Sequence, residues 1–87
     1  MAYSTKVGQN VRSNWNRPMA YVQGLILLLR GYDHVLILDH VGEVEARIKR
    51  LENGSIGVWT PNQSNKWSTS RFVGQLMPQA VELAGVS

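Results

Sequence analysis

Two Asp-His dipeptides are the residues whose types best fit acid–base or metal chemistry. Asp33-His34 and Asp39-His40 lie six positions apart, at the two ends of an apolar run. A zinc ion needs ligand nitrogens within about 2.1 Å of the metal, whereas six residues of a strand extend about 20 Å. On a helix the two histidines would lie on different faces. Neighbouring strand residues also point to opposite faces, so we expect polar strand ends and no catalytic pair.

The chain carries no other signature of catalysis or of a cofactor site. It has no cysteine, which excludes disulfides, thiolate metal sites and a thiol nucleophile. Its glycines lack the spacing of a phosphate-binding loop, and no GxSxG nucleophile motif is present. We therefore expect no enzyme activity, no cofactor and no metal.

A hairpin around Asn53-Gly54 decides where the aromatic and basic residues of the second half lie. A two-residue turn would pair Lys49 with Val58 and place a lysine on the core face. A three-residue loop, which begins one residue earlier, pairs Ile48 with Val58 and gathers the apolar residues of both strands on one face. Strand register follows the buried face, so the sequence favours the three-residue loop.

This register places Trp59 on the solvent face, opposite Arg47 and near Lys49. Single-stranded nucleic acid binds where bases stack on exposed rings and cations contact the phosphates. By strand alternation, Glu43 and Glu45 lie on the same face and weaken its positive field. The candidate residues for binding nucleic acid or a protein partner are Trp59, Arg47, Lys49, Lys66, Trp67, Arg71, Lys6, Arg12 and Arg17.

The element that must organise the core is a helix predicted over residues 17–30. Asn16 is a favourable N-cap, Pro18 fits the first turn, and Gly31 can end the helix in the left-handed conformation. Apolar residues occupy most of its circumference. We expect a sheet on one side of it and a second covering surface on the other, such as another copy of the chain in a homodimer.

The remaining elements follow from hydrophobic periodicity and turn signals. Strands are predicted over residues 34–41, which we expect to be buried on both faces, and over residues 43–51 and 55–60. Residues 66–77 fit either a fourth strand over 66–72 or the start of a helix capped by Ser68 or Ser70. Because Pro78 inside a helix would cost about 3 kcal/mol, we favour a break near Met77 and a terminal helix over residues 78–84.

The first 16 residues are predicted to form a basic arm. The segment is rich in serine, asparagine and glycine, and residues 1–31 carry four basic side chains and no acidic one. Such an arm becomes ordered on docking, with at most a short edge strand around residues 5–11. Trp15, just before the N-cap, fits a hydrophobic staple against the first turn of the helix.

The sequence thus predicts an α+β fold with one domain over residues 17–87 and a flexible arm over residues 1–16. One central apolar helix packs on an antiparallel sheet of three or four strands, followed by a short C-terminal helix. The predicted function is non-catalytic binding of nucleic acid. The alternative is a protein-interaction module, a small inhibitor or regulator of a larger complex in the style of phage or mobile-element proteins, because interfaces are enriched in Trp, Tyr and Arg. The absence of a secretory pattern predicts a cytoplasmic location, and the apolar run is too short to span a bilayer.

Overall fold

Seven elements make up the part of the chain that the computed structural model describes, residues 2–14, 16–62 and 67–85. In order these are β1 (Tyr3–Val7), β2 (Asn10–Asn14), α1 (Arg17–Leu29), β3 (His34–Leu38), β4 (Val44–Arg50), β5 (Ile56–Trp59) and α2 (Arg71–Ala84). The five strands form an antiparallel sheet in the order β2-β1-β3-β4-β5. The predicted α+β class is confirmed, with more strands than expected.

The segment predicted as a flexible arm is a hairpin that belongs to the sheet. β1 pairs with β2 through a two-residue turn and also with β3, which makes it an interior strand. Gly8 supplies the turn with a φ of 57°, a conformation that glycine adopts without strain. The sequence interpretation allowed at most one short edge strand around residues 5–11, and so missed the two-stranded hairpin. The staple role predicted for Trp15 lies outside the described residues.

The central helix begins and ends as the capping signals predict. The Asn16 side chain accepts a hydrogen bond from the Met19 amide at 3.0 Å, and Arg30 is the C-cap. Gly24 lies against the sheet so closely that a Cβ there would come within 2.8 Å of the Ile48 Cδ1 atom. α1 thus lies directly on one face of the sheet, and a glycine in the middle of the helix makes that approach possible.

The second helix corrects the prediction of a break near Met77. α2 begins at Arg71 with Ser70 as N-cap and runs through Pro78 before it ends at Gly85, whose φ is 70°. It packs against α1, with the following side chains in or against the core: Phe72, Val73, Leu76, Met77 and Ala80. We attribute the tolerance of an interior proline to this burial. α2 also supplies the cover over α1 that the sequence analysis assigned to another copy of the chain, so the homodimer stays a prediction.

The predicted fourth strand over residues 66–72 is reduced to one bridge. The Val58 amide donates to the Ser68 carbonyl at 2.7 Å, and the Ser68 amide donates back at 3.1 Å. From residue 71 onward, the segment belongs to helix α2.

The first predicted strand after α1 is shorter than expected. β3 ends at Leu38, and the Asp39 carboxylate then accepts from the amides of Val41 and Glu43 in a tight turn. Its residues alternate between buried and partly exposed positions, so the prediction that this strand is buried on both faces is wrong.

The pairing of Ile48 with Val58 in the last hairpin follows the predicted three-residue loop.

Candidate nucleic-acid interface

The sheet has one face covered by helices and one that neither α1 nor α2 covers. On the covered face lie the core residues Val35, Ile37, Ala46, Ile48 and Val58. Because strand side chains alternate, their neighbours point to the opposite side, which we call the open face. The register of the five strands assigns to it Ser4, Lys6, Val11, Ser13, His34, Leu36, Leu38, Val44, Arg47, Lys49 and Trp59.

One row of the open face contains two cations and a tryptophan. Lys6 pairs with Leu36, Leu36 with Arg47, and Arg47 with Trp59. Since neighbouring strands lie about 4.8 Å apart, the row from Lys6 to Trp59 spans about 14 Å. Lys49 lies one step further along β4 on the same face. The sheet therefore presents these residues as a continuous strip.

Trp59 lies beside a cation at the edge of this strip. Its side chain is half-buried and outside the core cluster. The Arg47 guanidinium carbon lies 5.2 Å from the Trp59 ring centroid, within the range of a cation–π contact. The pairing of Arg47 with Trp59 that the sequence predicted is confirmed.

A second tryptophan reaches the open face from outside the sheet. Ser68 pairs with β5 at its outer edge, and the preceding Trp67 contacts β4 and β3. The Lys49 ammonium lies 4.4 Å from the Trp67 ring centroid, and the His34 ring lies 5.5 Å away edge-on. The space over Gly57, which pairs with Lys49 on β5, is filled by the Leu51 side chain, whose Cδ2 atom a Cβ at Gly57 would meet at 2.8 Å. Trp67 thus lies across the strand next to it.

A β-bulge removes one of the two acidic residues that the sequence analysis placed on this face. Ile37 pairs with Ala46 but Leu38 pairs with Val44, which leaves Glu45 as the extra residue. A bulge redirects the side chain at that point. The prediction that Glu45 weakens the positive field beside Arg47 is therefore wrong. The same shift turns Val44, predicted for the core face, to the open face.

The Glu45 carboxylate binds two residues of α1 on the covered side. It accepts from Arg17 Nε at 2.9 and 3.0 Å and from the Tyr21 hydroxyl at 2.8 Å. The Arg17 guanidinium also lies over the rings of Tyr21 and Phe72. Burial, followed by the hydrogen bond with Glu45, raises the pKa of Tyr21. Arg17, a predicted binding residue, is thus engaged in joining α1 to β4 and α2.

The open face is electropositive around His34. Partial burial lowers the pKa of this histidine, and the positive charges of Arg47 and Lys49 lower it further. The two cations that disfavour protonation of His34 would favour a bound anion at the same place.

The other predicted binding residues are dispersed. Lys6 lies on the open face, whereas Arg12 pairs with the buried Thr5 and points to the helix side of the hairpin. Arg71 is exposed at the start of α2, and Lys66 lies outside the described residues. The prediction missed His34, Leu36 and Leu38 as members of the face. The alternation of β3 around its buried Val35 and Ile37 was the signal that could have found them.

The Asp-His dipeptides do not form a shared site. His34 contacts Trp67, and the His40 ring lies edge-on to Tyr3 with centroids 6.2 Å apart. Asp39 caps the turn after β3. Among the described residues, no three His, Asp or Glu side chains come together as metal ligands.

Comparison with known proteins gives no match, so a functional proposal rests on the open face of the sheet. Neither protein-family models, nor curated proteins, nor solved structures include a match to this chain. Over residues 2–14, 16–62 and 67–85, no helix has the length and apolarity needed to cross a membrane.

Proposed function

We propose that this protein binds single-stranded nucleic acid on the open face of its sheet, without catalysis. The observation that carries the proposal is the pairing of Trp59 with Arg47 and of Trp67 with Lys49 on a face from which Glu45 is turned away. Aromatic rings beside cations suit bases and phosphates together. In a duplex the bases are stacked on one another, so the ligand is a single strand.

The rings and cations have separate roles in this proposal. A base stacks on an indole, a contact worth about 1–3 kcal/mol per base. Lys6, Arg47 and Lys49 contact phosphates, because the strand pairing places all three on the open face. Such contacts do not read base edges, so we expect little sequence preference.

Salt dependence is the test that isolates the phosphate contacts. Three cations that neutralise three phosphates give a slope of about −2 in log Kobs against log[salt] for a single strand. We would measure fluorescence anisotropy of a labelled mixed-sequence oligonucleotide between 50 and 200 mM salt, roughly the interval over which phosphate-dependent affinity falls steeply. Arg47→Gln should lower the slope by about 0.7.

Arg71→Gln is the matched control, since it removes the same charge from an exposed residue of α2. Its affinity and slope should equal those of the unaltered protein. Equal losses for Arg47→Gln and Arg71→Gln would show that net charge, and not the open face, attracts the strand. An absence of binding at the lowest salt concentration would contradict the proposal as a whole.

A second candidate is a protein partner on the same face. Leu36, Leu38 and Val44 form an apolar patch beside the cations, and Val11 on the edge strand is 56% exposed. Apolar contacts and aromatic residues favour a protein interface that tolerates salt. In that case, affinity for a captured partner should change little between the two salt concentrations, and the oligonucleotide should not compete.

A further inference from the structure

A cleft at one end of the open face is lined by Arg50, to which the proposed function assigns no role. It has a volume of about 300 Å³ and lies where α1 ends, β3 begins and β4 ends. Its lining includes Tyr32, Asp33, His34, Lys49 and Arg50. Pockets from about 300 Å³ upward hold small molecules, so the cleft fits one terminal nucleotide rather than a longer segment.

The cleft is continuous with the proposed binding strip. His34 and Lys49 are cross-strand partners whose side chains belong to the open face and also line the cleft. Arg50 comes from the covered side of β4, and its Nη2 donates to the Leu28 carbonyl at 2.9 Å. This bond fixes the guanidinium at the end of α1 and leaves its other N–H groups for a ligand.

Charge is distributed unevenly between the two ends of the sheet. The cleft end has the cations Lys49 and Arg50 against the single carboxylate of Asp33 in its lining. The opposite end has the turn that joins β3 to β4, with Asp39 and Glu43. A nucleic-acid strand bound on the open face would therefore place its most negative group in the cleft. That group is a terminal phosphate monoester, which carries close to two charges near pH 7, against one for a phosphodiester.

We infer that the cleft is a subsite for the terminal phosphate of the bound strand, held by Arg50 and Lys49. This inference rests on the proposed function and names its ligand more closely, as a single strand with a phosphorylated end. Because hydrogen bonds to charged groups are the strong ones, the phosphate should improve affinity about tenfold.

The test compares three unlabelled oligonucleotides of one sequence and about ten nucleotides. One carries a 5′-phosphate, one a 3′-phosphate, and one hydroxyls at both ends. Each competes with an internally labelled probe that has no terminal phosphate. We expect one of the two phosphorylated strands to bind about tenfold more tightly than the other two. Which one it is identifies the end that enters the cleft.

Two substitutions with opposite expected effects test whether the cleft is responsible for the gain in affinity from the terminal phosphate. Arg50→Gln should abolish the gain and leave the unphosphorylated strand within about twofold of its original affinity. Asp33→Asn removes the only carboxylate of the lining and should enlarge the gain. Since Arg50 also bonds the end of α1, Arg50→Lys and a circular dichroism spectrum accompany Arg50→Gln as checks on the fold.

The outcomes separate this inference from the proposed function. Equal affinity of all three strands would overturn the terminal-phosphate subsite and leave strand binding on the open face intact. A gain that survives Arg50→Gln and is not enlarged by Asp33→Asn would place the phosphate elsewhere and also overturn it. Failure of every strand to bind would refute the proposed function itself.

Discussion

Removal of the Glu45 carboxylate should destabilise the protein more than removal of any exposed acid. Glu45→Ala leaves the buried Tyr21 hydroxyl without its 2.8 Å partner and breaks the contact with Arg17. A hydrogen bond to a charged group contributes about 1.5–3 kcal/mol. The ion pair adds only about 0–1 kcal/mol, because the Arg17 side chain is 47% exposed.

We therefore expect the free energy of unfolding to fall by about 2–3 kcal/mol. Urea denaturation followed by circular dichroism measures it. Glu45→Gln keeps an acceptor for Tyr21 and should lose about half as much. Glu43→Ala, at an exposed position two residues earlier, is the control and should change stability by less than about 0.5 kcal/mol.

The same variant tests the direction of the bulge. Because the carboxylate lies on the covered side, Glu45→Ala should leave oligonucleotide affinity within about twofold while stability falls. If Glu45→Ala were no more destabilising than Glu43→Ala, or if it strengthened binding markedly, the reasoning about the bulge would be refuted.

Two further predictions concern Tyr21 and Pro78. The pKa of Tyr21 is raised in the folded state by burial and by Glu45, so the unfolded chain releases this proton first and stability falls as pH rises above about 10. Tyr21→Phe should make that fall shallower by up to about 1.4 kcal/mol per pH unit in urea titrations; an unchanged slope would contradict the raised pKa. Pro78→Ala should raise the free energy of unfolding by about 1–3 kcal/mol, because it restores a helical N–H and removes a clash in α2. Gln79→Ala, also exposed, is its control, and a loss of stability in Pro78→Ala would show that the proline contributes to the fold.

Local signals accounted for the parts of the fold that the sequence predicts well. The limits of α1 follow from Asn16, Pro18 and Gly31, which act within one turn of the helix. The register of the last hairpin follows from burial, because only one pairing gathers Ile48 and Val58 on the same side. Both features depend on residues close in the chain.

The hairpin of β1 and β2 is a local feature that was missed, whereas the other missed features depend on contacts between distant segments. The pairing of β1 with β3 joins residues about thirty positions apart, and no local pattern marks it. The bulge at Glu45 shifts one residue of β4 against β3 and so reverses two predicted orientations. Helix α2 continues through Pro78 because packing against α1 outweighs the local preference for a break. The composition of the open face depends on all four strand pairings, so it could not be derived from the last hairpin alone.

The most direct test of strand binding on the open face is quenching of tryptophan fluorescence by a mixed-sequence single-stranded oligonucleotide. The unaltered protein, Trp59→Phe and Trp67→Phe would be titrated at low and moderate salt. We predict quenching that weakens with salt and that falls in each variant, because bases stack on both indoles. Full quenching in both variants, or no quenching at low salt, would contradict the account.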